Sequence, residues 1–144
     1  AMVDLLAAVG KTPVMVERDV PGFIGNRLQH ALWREAISLV ENGICTAEAV
    51  DDVVKASFGR RMAVLGPMEN ADLVGIELTQ DIHAQLFFDL ENAAAPSPLL
   101  QTLRDDGRTG MAAGAGLRDW QAGDLEATKA RIAAHLRKLE AMLP

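Results

Sequence analysis

The sequence predicts an all-α fold, a bundle of roughly five to seven helices, and three observations carry that expectation. The 49% hydrophobic content is mostly Ala, Leu, Val, Ile and Met, with 4% aromatic residues and no Tyr. Ala, Leu and Met lose little side-chain freedom in a helix. Apolar residues recur at three- and four-residue intervals over most of the chain, and Gly, Pro and Asn stand where such stretches should begin and end. At 144 residues the chain is about one domain, expected to bury roughly two thirds of its unfolded surface around one core.

Val3 to Val9 reads as the end of a helix closed by Gly10, the residue type that most easily turns left-handed beyond a helix. Val14-Met15-Val16, opened by Thr12-Pro13, is the best strand candidate. Alone it would leave backbone groups unpaired, so it reads as part of a sheet lying outside this chain. Pro21 is placed to open a long helix in which Ile24, Leu28, Leu32, Ala36 and Leu39 share a face, ending at Asn42-Gly43. Thr46 is the expected N-cap, with Glu48 in the first turn, of an amphipathic helix through Val50, Val53 and Val54 to Gly59.

Pro67 starts a third helix through Leu73. Gly75 either kinks it or separates it from a fourth, Ile76 to about Leu90, with Leu78, Ile82, Leu86 and Leu90 at every fourth residue. Residues 92–98 read as a small polar loop, Leu99 to Leu103 as a short helix, and Asp105 to Gly116 as an irregular glycine- and alanine-rich stretch rather than ordered core. Asp124 to Leu143 closes the chain, with Leu125, Ile132, Leu136, Leu139 and Leu143 on one stripe.

A formal charge of −6, from 20 acidic and 14 basic residues, repels a polyphosphate backbone, so nucleic acid is not an expected partner. No apolar stretch reaches the ~18 residues of a membrane span, and Ala1 to Gly10 lacks the basic flank of a signal peptide. With Cys45 as the one cysteine, no intrachain disulfide can form, and the cytoplasm is the expected compartment. The opening Ala1-Met2 fits an internal starting point as well as a native one.

Self-sufficient chemistry is scarce. His30, His83 and His135 lie far apart and no His/Cys/Asp/Glu cluster has metal-ligand spacing, so no metal is expected. Gly110 to Gly116 follows a turn-rich segment instead of a strand, which is the wrong context for a dinucleotide or phosphate loop, so no cofactor is expected on this chain. His83 sits in an apolar helical pattern and reads more readily as structural than as an acid or base; Trp33 and Phe87-Phe88 read as core. Arg60-Arg61 reads as solvated rather than as an anion contact. Asn26 stands out, because Asn is a mediocre helix former and lies between Ile24 and Leu28. It is either a solvated or backbone-bonded amide, or a group held ready for something outside the helix.

The segment Pro21-Gly22-Phe23-Ile24-Gly25-Asn26-Arg27-Leu28 resembles the signature that opens the C-terminal domain of 3-hydroxyacyl-CoA dehydrogenases. Gly10-Lys11-Thr12-Pro13-Val14 resembles the last strand of that family's Rossmann domain. Gly66-Pro67-Met68-Glu69 with Asp72-Leu73-Val74-Gly75 resembles its Gly-Pro-Phe-Glu and Asp-x-x-Gly segments, Met replacing the aromatic residue. Gly110 to Trp120 resembles its glycine-rich segment more loosely, with Gly114-Ala115-Gly116-Leu117 in place of Lys-Thr-Gly-x-Gly-Phe-Tyr. Phe58 to Pro67 and the charged last helix look closer to the lambda-crystallin, gulonate and carnitine dehydrogenase branch, whose substrates are small hydroxy acids that need not carry coenzyme A.

The resemblance implies a helical bundle of the 6-phosphogluconate dehydrogenase C-terminal-domain-like type over residues 21–144. It makes residues 1–20 the linker helix and last strand of a Rossmann domain. It further implies that NAD and a catalytic His–Glu pair belong to that Rossmann domain, so that the chain alone is inactive. The helical domain would supply one wall of the cleft for a 3-hydroxyacyl-CoA or small hydroxy acid, a homodimer interface, and Asn26 to hold the catalytic histidine or a substrate oxygen in register. Two rivals remain. One is another two-domain hydroxyacid dehydrogenase, whose type places a catalytic lysine in the entering helix, whereas no lysine occurs from Thr12 to Val54. The other is a free-standing, non-enzymatic helical interaction module.

Overall fold

A computed structural model describes residues 2–142. Every regular element among them is helical, as the Ala- and Leu-rich periodicity predicts. Two units can be distinguished, residues 1–33 and residues 34–144, the division falling inside one helix.

The first unit holds α1 (Met2–Ala8) and the start of α2 (Gly25–Glu41). Gly10, at φ +74°, closes α1: the Lys11 N–H donates to Leu6 O at 3.0 Å. The strand expected at Val14 to Val16 is not formed. The segment is irregular, no described strand exists for it to pair with, and Val14 and Met15 are exposed. Helix α2 starts at Gly25, four residues later than Pro21 suggested, because Pro21 is used in a turn.

The second unit continues α2 and adds α3 (Ala47–Ala56), α4 (Pro67–Val74), α5 (Ile76–Leu86), α6 (Pro98–Asp105) and α7 (Asp124–Glu140), with short 3-10 turns at Phe58–Arg60 and Met111–Ala113. Helix α2 stops where Asn42-Gly43 predicted. The Ile44 N–H reaches Leu39 O at 3.0 Å over Gly43 at φ +68°, a Schellman closure. Thr46 caps α3, its hydroxyl accepting from the Ala49 N–H at 3.2 Å. Gly59 is required by close approach, since a Cβ there would stand 2.6 Å from Val54 O. Beside it the Arg60 Nε donates to Lys55 O at 3.2 Å, a contact to the chain rather than to an anion.

Gly75, at φ +101°, separates α4 from α5. Helix α5 ends at Leu86 rather than near Leu90, and the chain is drawn off toward α2: the Glu91 N–H donates to Glu35 Oε2 at 2.7 Å. Helix α6 is longer than expected. Pro98 opens it, and both Ser97 and the Glu41 carboxylate serve its start, Glu41 accepting from Ser97 Oγ at 2.8 Å and from the Leu99 N–H at 3.0 Å. In α7, Leu125 and Leu139 are half-buried while Ile132 and Leu136 are exposed; Leu143 lies outside the described residues, as does Ala1.

The expected core is not closed. No apolar side chain among the described residues is buried, and Trp33, Phe87 and Phe88, read as core, are 48%, 58% and 82% exposed. Amphipathic helices have formed without the apolar layer that should cover them.

Candidate functional site

Residues 20–27 form one local device. The Phe23 N–H donates to Val20 O at 3.0 Å, closing a turn with Pro21 second and Gly22 third at φ +80°. That is the type II pattern, which favours Pro and Gly in these places. Phe23 follows at φ +46°, the one non-glycine residue with positive φ among those described. Such a backbone costs about 1–2 kcal/mol for a residue with a side chain, and strain of this kind gathers at functional sites.

Helix α2 begins two residues on, so Asn26 lies in its first turn, and the turn is packed against it. A Cβ added to Gly22 would meet the Asn26 Cβ and the Arg27 Cγ, both at 3.4 Å. The Arg27 Nη1 donates back to Pro21 O at 3.5 Å. The Asn26 side chain is exposed and makes no hydrogen bond within the described residues, so its NH₂ donors and its carbonyl acceptor are both open to an outside group.

The second unit carries a polar assembly that the sequence did not announce. The glycine-rich segment is ordered: the Gly110 N–H donates to Ala115 O, the Gly116 N–H to Arg118 O and the Trp120 N–H to Gly114 O, each at 2.8 Å. Gly116 is buried, and a Cβ there would stand 3.0 Å from the Gly110 Cα. The expected irregular stretch is thus a compact knot that only glycines allow. Arg108 tightens it, its Nη2 donating to Gly116 O at 3.0 Å and to Asp119 Oδ1 at 2.8 Å.

From this knot Arg118 reaches α3. Its Nε donates to Glu48 Oε1 at 3.1 Å and its Nη1 to Asp51 Oδ2 at 2.8 Å, while the guanidinium lies 4.9 Å from the centre of the Trp120 ring. Glu48 is held below the usual carboxylate value, first by the backbone N–H it meets at the start of α3 and then by Arg118. Partial burial would lower Arg118, but its bonds to Asp51 and Glu48 outweigh that and leave it above its ordinary value. Beside the knot, Leu100, Leu103 and Leu117 floor an apolar cleft of about 420 Å³, with Arg104 and Arg108 among its lining residues.

Of the residues singled out from sequence, His30 packs edge-on against Trp33 at 5.0 Å and His83 stacks on Phe87 at 4.1 Å. No group of His, Cys, Asp and Glu among the described residues could hold a metal. Cys45 is half-buried and unbridged. No strand leads into a glycine loop and helix among the described residues. The Glu48-x-x-Asp51 spacing does put two carboxylates on one helical face, but nothing local signals that Arg118 would reach them.

The family of 3-hydroxyacyl-CoA dehydrogenase C-terminal domains matches residues 22–120. Over 139 residues the chain is 36% identical to the 5-formyl-3-hydroxy-2-methylpyridine 4-carboxylate 5-dehydrogenase of Mesorhizobium japonicum, covering 96% of this chain and 44% of that protein. Over 71 residues it is 49% identical to the L-carnitine dehydrogenase of Streptomyces griseus, 49% of this chain and 21% of that one. A crystal structure of 5-formyl-3-hydroxy-2-methylpyridine 4-carboxylic acid 5-dehydrogenase, an NAD⁺-dependent dismutase, superposes with a TM-score of 0.85 at 35% identity, over 98% of this chain and 45% of that one. The chain thus spans less than half the length of these relatives. The resemblance drawn from Pro21 to Leu28 and the leaning toward the carnitine branch are both borne out, as is the all-α fold class. No helix among the described residues is long and apolar enough to cross a membrane.

Proposed function

Because the chain belongs to the family of 3-hydroxyacyl-CoA dehydrogenase C-terminal domains, we propose that it is the substrate-cleft and dimerisation domain of an NAD-dependent dehydrogenase. That enzyme oxidises the hydroxyl of a 3-hydroxyacyl-CoA or of a small hydroxy acid to a ketone. The observation that carries this reading is the turn at residues 20–23, which sets an unbonded Asn26 amide at the head of α2 within the segment the family shares.

NAD, bound by a Rossmann domain of the same polypeptide, supplies the hydride acceptor there. A His–Glu pair of that domain takes the hydroxyl proton. Asn26 positions: its carbonyl accepts from one partner while its NH₂ donates to another, so one amide can bridge an imidazole and a substrate oxygen. The L-carnitine dehydrogenases among the relatives favour a small hydroxy acid over a thioester.

The test is NAD reduction by the whole protein with a panel of small hydroxy acids and 3-hydroxyacyl-CoA thioesters. Turnover of either class supports the reading. A folded, NAD-binding protein inert toward both classes refutes it.

A further inference from the structure

Helix α6 and the glycine knot together line the apolar cleft of about 420 Å³, and every residue lining it lies between Leu100 and Leu117. Leu100, Leu103 and Arg104 share one face of α6 at three- and four-residue spacing, and the knot adds Leu117. The knot is held by its own contacts. Gly116 is buried against Gly110, and Arg108 is bonded to Gly116 O and to Asp119 Oδ1. The cleft is therefore built by one continuous stretch of chain, and its volume falls in the range of roughly 300–1,000 Å³ common to small-molecule sites.

Its lining is apolar with one open charge. Leu100 and Leu117 are still 38% and 43% exposed, so both have apolar surface left to give to a ligand. Of the two cations, Arg108 is committed to the knot and to Asp119. Arg104 is not: its guanidinium makes no hydrogen bond or ion pair among the described residues. A guanidinium keeps its charge at any physiological pH, and its planar fork matches a carboxylate. Asp105 and Asp106 follow Arg104 directly in a chain of charge −6, a field that opposes a dianion such as a phosphate monoester. One free cation beside three leucines is complementary to a ligand with one carboxylate and a short hydrocarbon body.

We propose that the cleft between α6 and the glycine knot binds a small amphipathic monocarboxylate, its carboxylate on the Arg104 guanidinium and its hydrocarbon body on Leu100, Leu103 and Leu117. All of these residues belong to the second unit, and the proposal does not rest on the role of Asn26.

Octanoate is the probe, titrated by calorimetry into the whole protein and, in parallel, into the 144-residue chain. Octanol lacks its carboxylate and acetate lacks its hydrocarbon body, so the two separate the contributions. The expected result is saturable binding of octanoate to the whole protein, tighter than that of either counterpart. Arg104→Gln, at an exposed position, is expected to weaken it by about tenfold or more, the scale of a lost charge-assisted hydrogen bond, with helicity unchanged. Lys129→Glu, whose partner is Glu126 on the same helix, leaves the affinity as it is. Octanoate binding that Arg104→Gln does not weaken lies elsewhere on the protein and overturns the proposal. Absence of binding to the whole protein overturns it too, and if the 144-residue chain alone binds, another part of the polypeptide covers the cleft.

Discussion

Gly22 stands against Asn26, with the position its Cβ would take 3.4 Å from the Asn26 Cβ, and its φ of +80° is one that L side chains rarely adopt. Turn and amide are therefore one piece of geometry. Gly22→Ala is expected to destabilise the protein by about 1–2 kcal/mol and to lower kcat in the whole enzyme by shifting the head of α2. Thermal unfolding and steady-state kinetics on one preparation check this, and an unchanged kcat would show that the turn does not position the amide.

Asn26→Ala in the whole enzyme is expected to lower kcat by roughly 10²-fold with little change in thermal midpoint, the scale of losing one preorganised polar contact. The side chain bonds to nothing in the described chain, so its removal disturbs no fold contact. A mutant that loses stability and keeps its kcat would make Asn26 a purely structural residue.

The 144-residue chain is expected to show no heat of binding with NADH and no turnover of hydroxyacyl substrates, since no strand-led glycine loop occurs among its described residues and the family resemblance assigns the His–Glu pair to the Rossmann domain. Isothermal calorimetry is the check. Micromolar affinity would place part of the dinucleotide site on the helical domain.

Glu48 links stability to acid. Its carboxyl titrates below the usual value of 4.5 in the folded chain, so its contribution is fully present above that pH and is lost as pH falls through the lower folded value. Arg118 is then expected to hold α3 through Asp51 alone. In a Trp33→Phe background, Trp120 emission reports the change. Glu48→Gln should remove the pH dependence, and a profile that persists in that variant would assign it to another carboxylate.

Glu41→Ala removes both an acceptor for the Leu99 N–H and a partner for Ser97. It is expected to cost about 1 kcal/mol, the scale of a lost helix cap, read as a lower urea midpoint. Glu41→Gln keeps one acceptor oxygen and should lose less. Equal losses would make the charge, rather than the bond, the source of the effect.

Local chemistry was legible in the sequence wherever a residue acts on its own neighbours. Thr46 caps α3, Gly43 stops α2 and Pro67 opens α4, because the backbone groups they serve lie within a few residues. Pro21 was misplaced by four residues because Pro suits both a helix start and the second position of a type II turn, and only Gly22 at positive φ decides between them. The path of the chain beyond α5 is held by Glu35 and the start of α6 by Glu41, both far off in the chain. Order in the glycine-rich segment was hidden, since glycine marks disorder and close packing alike and only the approach of Gly110 to Gly116 distinguishes them. Asn26 was found by its oddness in a helix, whereas the grip of Arg118 on Glu48 and Asp51 left no local trace.

That grip also sets a timetable. Asp51 and Arg118 are 67 residues apart, while the caps and turns of α2 and α3 join residues within five positions of one another. At the ribosome's pace of roughly 5–20 residues per second, Arg118 is added about 3–13 s after Asp51. A helix can form within microseconds of emerging, but α3 alone has ten residues and is marginal in water, so for those seconds its two carboxylates have no Arg118 to meet. The knot that presents this guanidinium closes only once Arg118 and Trp120 have been added, since the Gly116 N–H donates to Arg118 O and the Trp120 N–H to Gly114 O.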